Sequence, residues 1–246
     1  IEVAHRLMQV CGQVFRFAVA TGRAERNPTP DLRGALIPVR HSHYAALDGK
    51  ELPEFIRNLD GDKAQLAPST RNALRLLMLT FVRTSELIGA RWSEIDFETK
   101  QWIIPAERMK MRKPHIVPLS RQAITLLQEQ KEIAHTSALV FPNRIHPRKS
   151  MSNNTILKAL DLMGYKGRMT GHGFRALAMS TIKERLDYRH EVIDRQLAHA
   201  PKSKVDKAYD RAQFLDERKR MMQDWANYLD AAASEGKVLV GKFGKK

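Results

Sequence analysis

The chain has 246 residues, of which 42 are Lys or Arg and 27 are Asp or Glu, so its net charge is +15. An excess of this size favours a nucleic acid or another acidic partner. Hydrophobic residues make up 43% and charged residues 28%, which excludes disordered and fibrous classes and allows one large domain or two small ones. No apolar run approaches the roughly 20 residues of a membrane helix, so no membrane partner is expected. The single cysteine, Cys11, excludes an internal disulfide and favours a reducing cytosol.

The chain begins with a predicted amphipathic helix. Apolar residues recur at helical spacing from Val3 to Thr21, and Gly22 follows as a C-cap. The segment from Asn27 to about His43 has proline and glycine but no sustained period, which predicts a linker or domain boundary. Because the chain starts at Ile1, without an initiator methionine or a signal peptide, and is helical from its first residues, we interpret it as a fragment of a longer protein.

Two helices and a β-hairpin are predicted next. Asp48-Gly49-Lys50-Glu51 is a capping-box pattern that opens a short helix to about Leu59, and Pro68-Ser69 opens a helix with an apolar stripe. Gln101 to Ile104 and His115 to Leu119 are short β-prone runs. The segment between these runs gives the hairpin a basic tip or flank, because it contains Arg108, Lys110, Arg112 and Lys113.

The remaining chain is predicted to be largely helical. Ser120 caps a helix to about Ile133, Ser152 starts one to about Met163, and the pattern is helical from Gly171 almost to Ala233. Leu139 to Phe141 could add a short strand. The sequence therefore predicts a mostly α protein with a small antiparallel β-sheet, an α+β class.

The positive charge is concentrated in one segment. Residues 142–175 contain a single acid, Asp161, whereas residues 86–100 are net acidic. A basic face opposed to an acidic one is the footprint of phosphate-backbone binding, although a charge run alone is also compatible with a solvated basic surface. The candidate DNA-binding residues are Arg144, Arg148, Lys149, Lys166 and Arg168 in the basic segment, with Lys158 beside them, and Arg108, Arg112 and Lys113 in the hairpin.

A histidine and an arginine lie three residues apart in His172-Gly173-Phe174-Arg175, on one face at the start of a predicted helix. Phosphoryl transfer needs such a pair, because the guanidinium holds two non-bridging oxygens while the imidazole exchanges a proton or donates a hydrogen bond. An anion is also favoured at a helix N-terminus. Taken alone, the pattern also fits an ordinary surface pair.

Three other features bear on that choice. Arg83 follows an apolar helix, and Glu86 is one turn away, where its carboxylate can orient the guanidinium. A snorkelling arginine in a surface ion pair would give the same pattern. His199 ends a predicted helix at Gln196-Leu197-Ala198-His199, and Tyr209 follows ten residues later. An isolated tyrosine in a helix is usually a half-buried core residue.

The ordered set resembles the tyrosine recombinases, or phage integrases, in particular the branch encoded by genomic islands and satellite phages. The resemblance spans about residues 47–228. Its motifs are Arg83-Thr84-Ser85-Glu86-Leu87, Trp92-Ser93-Glu94-Ile95-Asp96, Met109-Lys110-Met111-Arg112, His115-Ile116-Val117-Pro118-Leu119, His172-Gly173-Phe174-Arg175 and Gln196-Leu197-Ala198-His199, followed by Tyr209. The family commonly has glycine before the first arginine and at the position of Ala198, where this chain has Thr80-Phe81-Val82 and alanine.

The resemblance implies a catalytic role for six residues. Tyr209 would attack a DNA phosphodiester to give a 3′-phosphotyrosine, Arg83 and Arg175 would hold the non-bridging oxygens, and Lys110 would protonate the leaving 5′-oxygen. His172 would accept the tyrosine proton and His199 would hydrogen-bond the phosphate. Glu86 would support Arg83. The implied fold is that of the tyrosine recombinase and type IB topoisomerase catalytic domains, and neither a metal nor another cofactor is implied.

The resemblance also implies a domain organisation and partners. Residues 1–35 would be the last helix of a core-binding domain and its linker, 45–235 the catalytic domain, and 236–246 a basic tail that docks on a neighbouring protomer or on its own domain. The partners would be double-stranded DNA at attachment sites, three further copies in a tetramer, and accessory DNA-bending or excisionase proteins. The protein would integrate or excise a mobile element at the bacterial nucleoid, in the cytoplasm.

Two other functions remain open from the sequence. A type IB topoisomerase would use the same chemistry without a defined site or a tetramer, and a basic DNA-binding protein such as a transcriptional regulator would need no catalysis at all. A zinc enzyme is disfavoured, because nine histidines and one cysteine form no ligand cluster and His41 and His43 fall in the predicted linker.

Overall fold

The computed structural model describes residues 1–38, 45–199 and 214–235. The chain divides into two compact units, Ile1–His43 and Tyr44–Lys246. In the first unit, helix α1 spans Glu2–Ala20 and a 3-10 turn spans Thr29–Leu32, with Gly12 packed close to the Thr29 side chain. The predicted N-terminal helix is therefore confirmed. Several of its apolar residues stay exposed in this unit, namely Val3, Leu7, Val10, Val14 and Phe17.

The second unit is built mainly of helices, which number eight in its described part. They are α2 (Leu52–Asp60), α3 (Pro68–Thr80), α4 (Thr84–Ile88), α5 (Arg121–Ala134), α6 (Asn153–Leu162), α7 (Gly173–Arg185), α8 (His190–Gln196) and α9 (Leu215–Glu235). The predicted helix starts are confirmed by their caps. Asp48 and Glu51 form both hydrogen bonds of a capping box, and the Ser120 and Ser152 hydroxyls accept from backbone N–H groups in the first turns of α5 and α6.

A three-stranded antiparallel sheet of order β1-β2-β3 lies beside these helices. Its strands are β1 (Ile95–Asp96), β2 (Gln101–Ile104) and β3 (His115–Pro118). Trp102 in β2 lies opposite both Ile95 and Val117 and is fully buried, so it fixes the register of the sheet. The hairpin of β2 and β3 was predicted, whereas β1 is too short for a sequence pattern to reveal it.

The predicted strand at Leu139 to Phe141 is wrong. Leu139 forms only an isolated antiparallel bridge with Arg91, and the Val140 N–H donates to the Ala90 carbonyl. Pro142 follows directly and lacks the N–H that a longer ladder needs. The apolar run is instead packed in the core as a loop, with Val140 and Phe141 fully buried.

Helix α3 is the central element of the core. Its residues from Asn72 to Thr80 are buried except Arg75, and it packs against α2, α5, α6, α7 and α9. Helix α9 is tied to it by the indole N–H of Trp225, which donates to the Met78 carbonyl at 2.9 Å. Because α3 is enclosed on nearly every side, its C-terminal end gives a rigid base for the residues that follow.

Candidate active site

Arg83 is positioned by the end of α3. Phe81 closes that helix in the left-handed region at φ 40°, and Arg83 then occupies the N-cap position of α4. One oxygen of the Glu86 carboxylate accepts from the Arg83 backbone N–H at 2.8 Å and the other accepts from its Nη1 at 2.7 Å. The Glu86 side chain is 3% exposed, so this carboxylate holds the Arg83 guanidinium in one orientation.

Arg175 lies in the first turn of α7, three residues after His172, which occupies the N-cap position of that helix. Its guanidinium is buried and donates from Nη1 to the Phe81 carbonyl at 2.8 Å and from Nη2 to the Leu197 carbonyl. The turn requires glycine at position 173, because a Cβ there would lie 2.4 Å from the Ala45 carbonyl oxygen. The end of α3 thus positions Arg175 as well as Arg83.

The C-terminal end of α8 collects three side-chain donors, two guanidiniums and one imidazole. Three successive carbonyls, those of Gln196, Leu197 and Ala198, accept hydrogen bonds from His115, Arg175 and Arg83 respectively. The last carbonyls of a helix lack intrahelical partners and carry the negative end of its dipole, so they favour positive donors. Ala198 reaches its position in the left-handed region, at φ 48°.

The pKa values record the proximity of these groups. Burial, followed by the neighbouring Arg83 charge, lowers the pKa of Arg175 to about 10, while Glu86 opposes the shift. The pKa of His172 is lowered as well, most strongly by burial and then by the nearby charges of Arg175, Arg83 and His199. At neutral pH the site therefore holds two charged guanidiniums beside an uncharged imidazole, an arrangement suited to binding an anion and accepting a proton.

His199 is oriented by a residue that sequence reasoning missed. Its Nδ1 lies 2.9 Å from Asp194 Oδ1, and the other oxygen of that carboxylate lies 3.1 Å from His190 Nε2. Asp194 occupies the last turn of α8, five residues before His199. A carboxylate on one ring nitrogen fixes the orientation of the imidazole and leaves Nε2 for a ligand.

Replacing Asp194 by asparagine should therefore lower the single-turnover rate of the DNA cleavage that the sequence resemblance implies by about 10–100-fold, the usual effect of losing such an orienting partner. The matched control is His190→Gln, which removes the other partner of Asp194 and should leave the rate within about threefold. Equal losses in both variants would contradict the orienting role of Asp194.

Lys110 and the basic residues predicted to bind DNA lie at the surface. Lys110 is exposed in the turn between β2 and β3 and makes no hydrogen bond or ion pair within the described part of the chain. Two residues of the predicted set form ion pairs with acids. Arg168 pairs with Glu51 and lies over the Tyr165 ring, and Lys166 Nζ is 3.7 Å from Asp161. The other exposed members are Arg112, Lys113, Arg144, Arg148 and Lys149.

Arg108 departs from the predicted pattern. Its side chain is 19% exposed and its guanidinium donates to the Glu94 carboxylate and to the Glu86 backbone carbonyl. Both Nη nitrogens of Arg108 thus donate to partners inside the fold. A phosphate would have to displace these contacts, so we withdraw Arg108 from the candidate DNA-binding residues.

Tyr209 lies outside the described residues, as does the tail 236–246. Three of the five tyrosines are described; Tyr165 and Tyr228 are buried in the core, and Tyr188 is half-buried against it. The phenol of Tyr165 accepts from Asn58, that of Tyr188 donates to Asp224, and burial raises the pKa of Tyr165, Tyr188 and Tyr228. A raised pKa makes these three poor nucleophiles.

A buried polar network also escaped the sequence analysis. Arg218 in α9 donates from Nε and Nη2 to the Gln196 side-chain oxygen and from Nη2 to the Ile116 carbonyl, so it joins α9 to α8 and β3. Burial lowers its pKa to about 10. The signal was an arginine at helical spacing with the apolar Met221, Met222 and Trp225, which placed a charge on the buried face of α9.

The same network makes folding sensitive to acid. Burial lowers the pKa of His115 to about 3, helped by Arg218, Arg195 and Arg175, against an ordinary value of 6.5. Between these values the unfolded chain takes up a proton that the folded chain does not, so stability is retained above about pH 6.5 and lost as the pH falls. We expect the free energy of unfolding to drop by about 2 kcal/mol from this group between pH 7 and 5. Urea titrations at both pH values should show a smaller drop for His115→Gln; an unchanged drop would contradict the assignment.

Two further features of the described residues concern membrane-spanning helices and metal sites. No helix there is long and apolar enough to cross a membrane. Within the same ranges, no group of three or more His, Cys, Asp or Glu side chains is arranged to hold a metal ion.

Comparison with known proteins agrees with the fold. Residues 45–215 match the Phage integrase family, and residues 1–35 match the Phage integrase central domain. The chain therefore belongs to the phage integrase family. The family that the sequence resemblance indicated is therefore confirmed.

The individual relatives are integrases of phages and prophages. The chain is 42% identical over 244 residues to the integrase of Enterobacteria phage P4, covering 93% of this chain and 55% of that protein. It is 42% identical over 231 residues to prophage integrase IntZ of Escherichia coli K12, covering 94% of this chain and 56% of the relative. The chain thus spans about half the length of the curated relatives it matches.

Among solved structures, a lambda integrase tetramer bound to a Holliday junction shares the fold. It superposes with a TM-score of 0.60 at 19% identity, covering 80% of this chain and 58% of the neighbour. The predicted class, mostly α with a small antiparallel sheet of the tyrosine recombinase type, is confirmed.

Proposed function

We propose that this chain is the catalytic part of a site-specific recombinase that cleaves and rejoins DNA through a 3′-phosphotyrosine. The observation that carries the proposal is the meeting of Arg83 and Arg175 with His172 and His199 around the end of α8. Two guanidiniums at one place repel each other, and an anion between them relieves that repulsion. A scissile phosphate supplies the anion.

The roles follow from the chemistry of each group. The Tyr209 oxygen attacks phosphorus while His172 accepts its proton, and the bond from phosphorus to the 5′-oxygen breaks as Lys110 gives that oxygen a proton. Arg83 and Arg175 stabilise the charge on the non-bridging oxygens, and His199 donates a hydrogen bond to one of them. The phosphotyrosine bond conserves the energy of the cleaved bond, so the reverse steps reseal the strand without ATP, and the two arginines supply the positive charge that a metal would otherwise provide.

The wider partners are proposed from the relatives. A lambda integrase tetramer has been solved on a Holliday junction, and we propose the same assembly on attachment-site DNA here. The exposed residues Arg112, Lys113, Arg144, Arg148 and Lys149, with Lys166 and Arg168, hold the DNA backbone. Residues 1–35 close the preceding DNA-binding domain, residues 45–235 form the catalytic domain, and residues 236–246 dock on a protomer. The reaction integrates or excises a mobile element at the bacterial nucleoid, aided by DNA-bending or excisionase proteins.

The test uses a nicked duplex spanning the junction between the encoding mobile element and its host chromosome. Loss of the short fragment beyond the nick traps the covalent intermediate, so we expect a protein–DNA adduct that survives denaturant and whose DNA-linked peptide contains Tyr209. Relaxation of arbitrary supercoiled plasmid by the monomer, without preference for the junction, would favour a type IB topoisomerase. Salt-sensitive binding without any adduct would favour a non-catalytic DNA-binding protein.

A further inference from the structure

Arg108 connects the loop that carries Lys110 to the base of the active site. It ends the 3-10 turn Ala106–Arg108, two residues before Lys110, and Met109 between them is buried. One arm of its guanidinium donates to the Glu86 backbone carbonyl. Glu86 is also the residue whose carboxylate holds Arg83. A single residue of α4 therefore contacts both Arg83 and the segment that leads into Lys110.

The other arm of Arg108 is held by a buried acid. Glu94 is 6% exposed on its side chain, and its Oε2 accepts from both Arg108 and the Trp102 indole N–H, the latter at 3.0 Å. Burying a carboxylate is costly unless a cation and hydrogen bonds compensate it. Glu94 therefore holds Arg108 in place, and Trp102 ties the pair to the fully buried face of β2.

The space around the guanidinium is also restricted. Gly89, at the end of α4, has an ordinary negative φ of −89°, yet a Cβ there would lie 2.9 Å from Arg108 Nη2 and 3.3 Å from Nε. The absence of a side chain at position 89 thus lets Arg108 lie against α4. Substitution at position 89 offers a way to displace the guanidinium without deleting it.

We propose that Arg108 is a positioning residue that sets where Lys110 stands relative to the phosphate held by Arg83. Lys110 is exposed and has no partner of its own in the described part of the chain, so its place depends on the anchoring of Arg108 and Met109 just before it. This inference rests on the proposed recombinase function and on Lys110 as the donor of the leaving-group proton. Loss of Arg108 leaves phosphate binding by Arg83 and Arg175 in place but impairs proton delivery to the 5′-oxygen.

The test compares oxygen and sulfur at the leaving position of the junction duplex. A thiol has a pKa of about 8.5, so a 5′-sulfur leaves as a thiolate without a proton, whereas an alkoxide needs one. With saturating DNA and a single turnover, we expect Arg108→Met to cleave the oxygen substrate about 10–100-fold more slowly than the unmodified protein. On the sulfur substrate the two proteins should agree within about threefold.

Gly89→Ala should show a smaller loss on oxygen and the same rescue by sulfur, because its methyl group displaces the Arg108 guanidinium while the side chain is retained. This variant keeps the test decisive if Arg108→Met folds poorly, which a thermal melt would reveal. Arg57→Met removes an exposed arginine on α2 and serves as the matched control, with both substrates cleaved at the unmodified rate.

Each other outcome has a definite meaning. Equal losses on oxygen and sulfur for Arg108→Met and Gly89→Ala would overturn the proposal and leave Arg108 with a purely structural role. Weaker binding with a salt slope reduced by about 1, and no rescue, would make it a phosphate ligand instead. Lys110→Met distinguishes failure of the positioning role of Arg108 from failure of the proton-donor role of Lys110. If sulfur restores cleavage in Lys110→Met but not in Arg108→Met, only the positioning role is refuted. If sulfur does not restore cleavage in Lys110→Met, the proton-donor role itself is refuted.

Discussion

Replacing Tyr209 by phenylalanine should abolish the covalent DNA adduct while leaving DNA affinity within about twofold. The substitution removes one oxygen and keeps the aromatic ring, so no nucleophile remains at position 209. The remaining cations still bind the duplex, since affinity of this kind depends on neutralised phosphates. Denaturing gels of the trapped reaction measure the adduct, and gel shifts at fixed salt measure the binding.

The other tyrosines provide matched controls for this experiment. Tyr188→Phe removes a half-buried hydroxyl that donates to Asp224 at 2.6 Å, and it should lower stability while the adduct still forms. Tyr44→Phe should leave adduct formation unchanged. An adduct that survives Tyr209→Phe and disappears with either control would transfer the nucleophile to that residue.

Replacing Arg175 by methionine should lower the cleavage rate by about 10²–10³-fold, the usual effect of removing one donor that stabilises transition-state charge. The same change should reduce the free energy of unfolding by about 1–3 kcal/mol. The stability loss arises because the Phe81 and Leu197 carbonyls lose the guanidinium that satisfies them inside the fold. Single-turnover cleavage and urea denaturation measure the two effects separately.

Arg175→Lys separates charge from geometry at the same position. Lysine keeps the positive charge but presents one nitrogen, which cannot reach both carbonyls and a phosphate oxygen in the planar arrangement of a guanidinium. We expect cleavage to stay at least about tenfold below that of the unmodified protein. The matched control is Arg185→Met, at an exposed position in the last turn of the same helix, which should alter neither measurement. Full activity of Arg175→Met would contradict the proposed site.

Two departures from the family pattern occur at special backbone positions. The resemblance implies a glycine-containing stretch before Arg83, where this chain has Thr80-Phe81-Val82, and glycine at the position of Ala198. Phe81 and Ala198 both adopt left-handed conformations, at φ 40° and 48°. A side chain in that region costs about 1–2 kcal/mol. The cost is offset at Phe81 by full burial of its ring, and the carbonyls of both residues receive hydrogen bonds from the two site arginines. The conformation that the family often reaches with glycine is here maintained by packing and by the site itself.

Local patterns in the sequence were sufficient to predict most helices, because caps and apolar spacing act within one or two turns of the chain. The capping box at Asp48 and the serine caps at Ser120 and Ser152 illustrate this. The strand expected at Leu139 to Phe141 failed for the same reason, since pairing depends on a distant partner and an apolar run alone does not supply one. Strand β1, with two residues, is likewise defined by its neighbour rather than by its own pattern.

The sequence by itself determined the excess of positive charge, the class of fold and the order of the residues that resemble a recombinase site. Only the tertiary structure decided which charges work together. Arg83 and Arg175 are 92 residues apart in the sequence, but the ends of α3 and α8 position both of them. Arg108 instead donates to Glu94 and Glu86 within the fold. The physical reason is that a charge counts equally in the composition wherever it lies, but its chemistry depends on burial and on partners that folding brings together from distant parts of the chain.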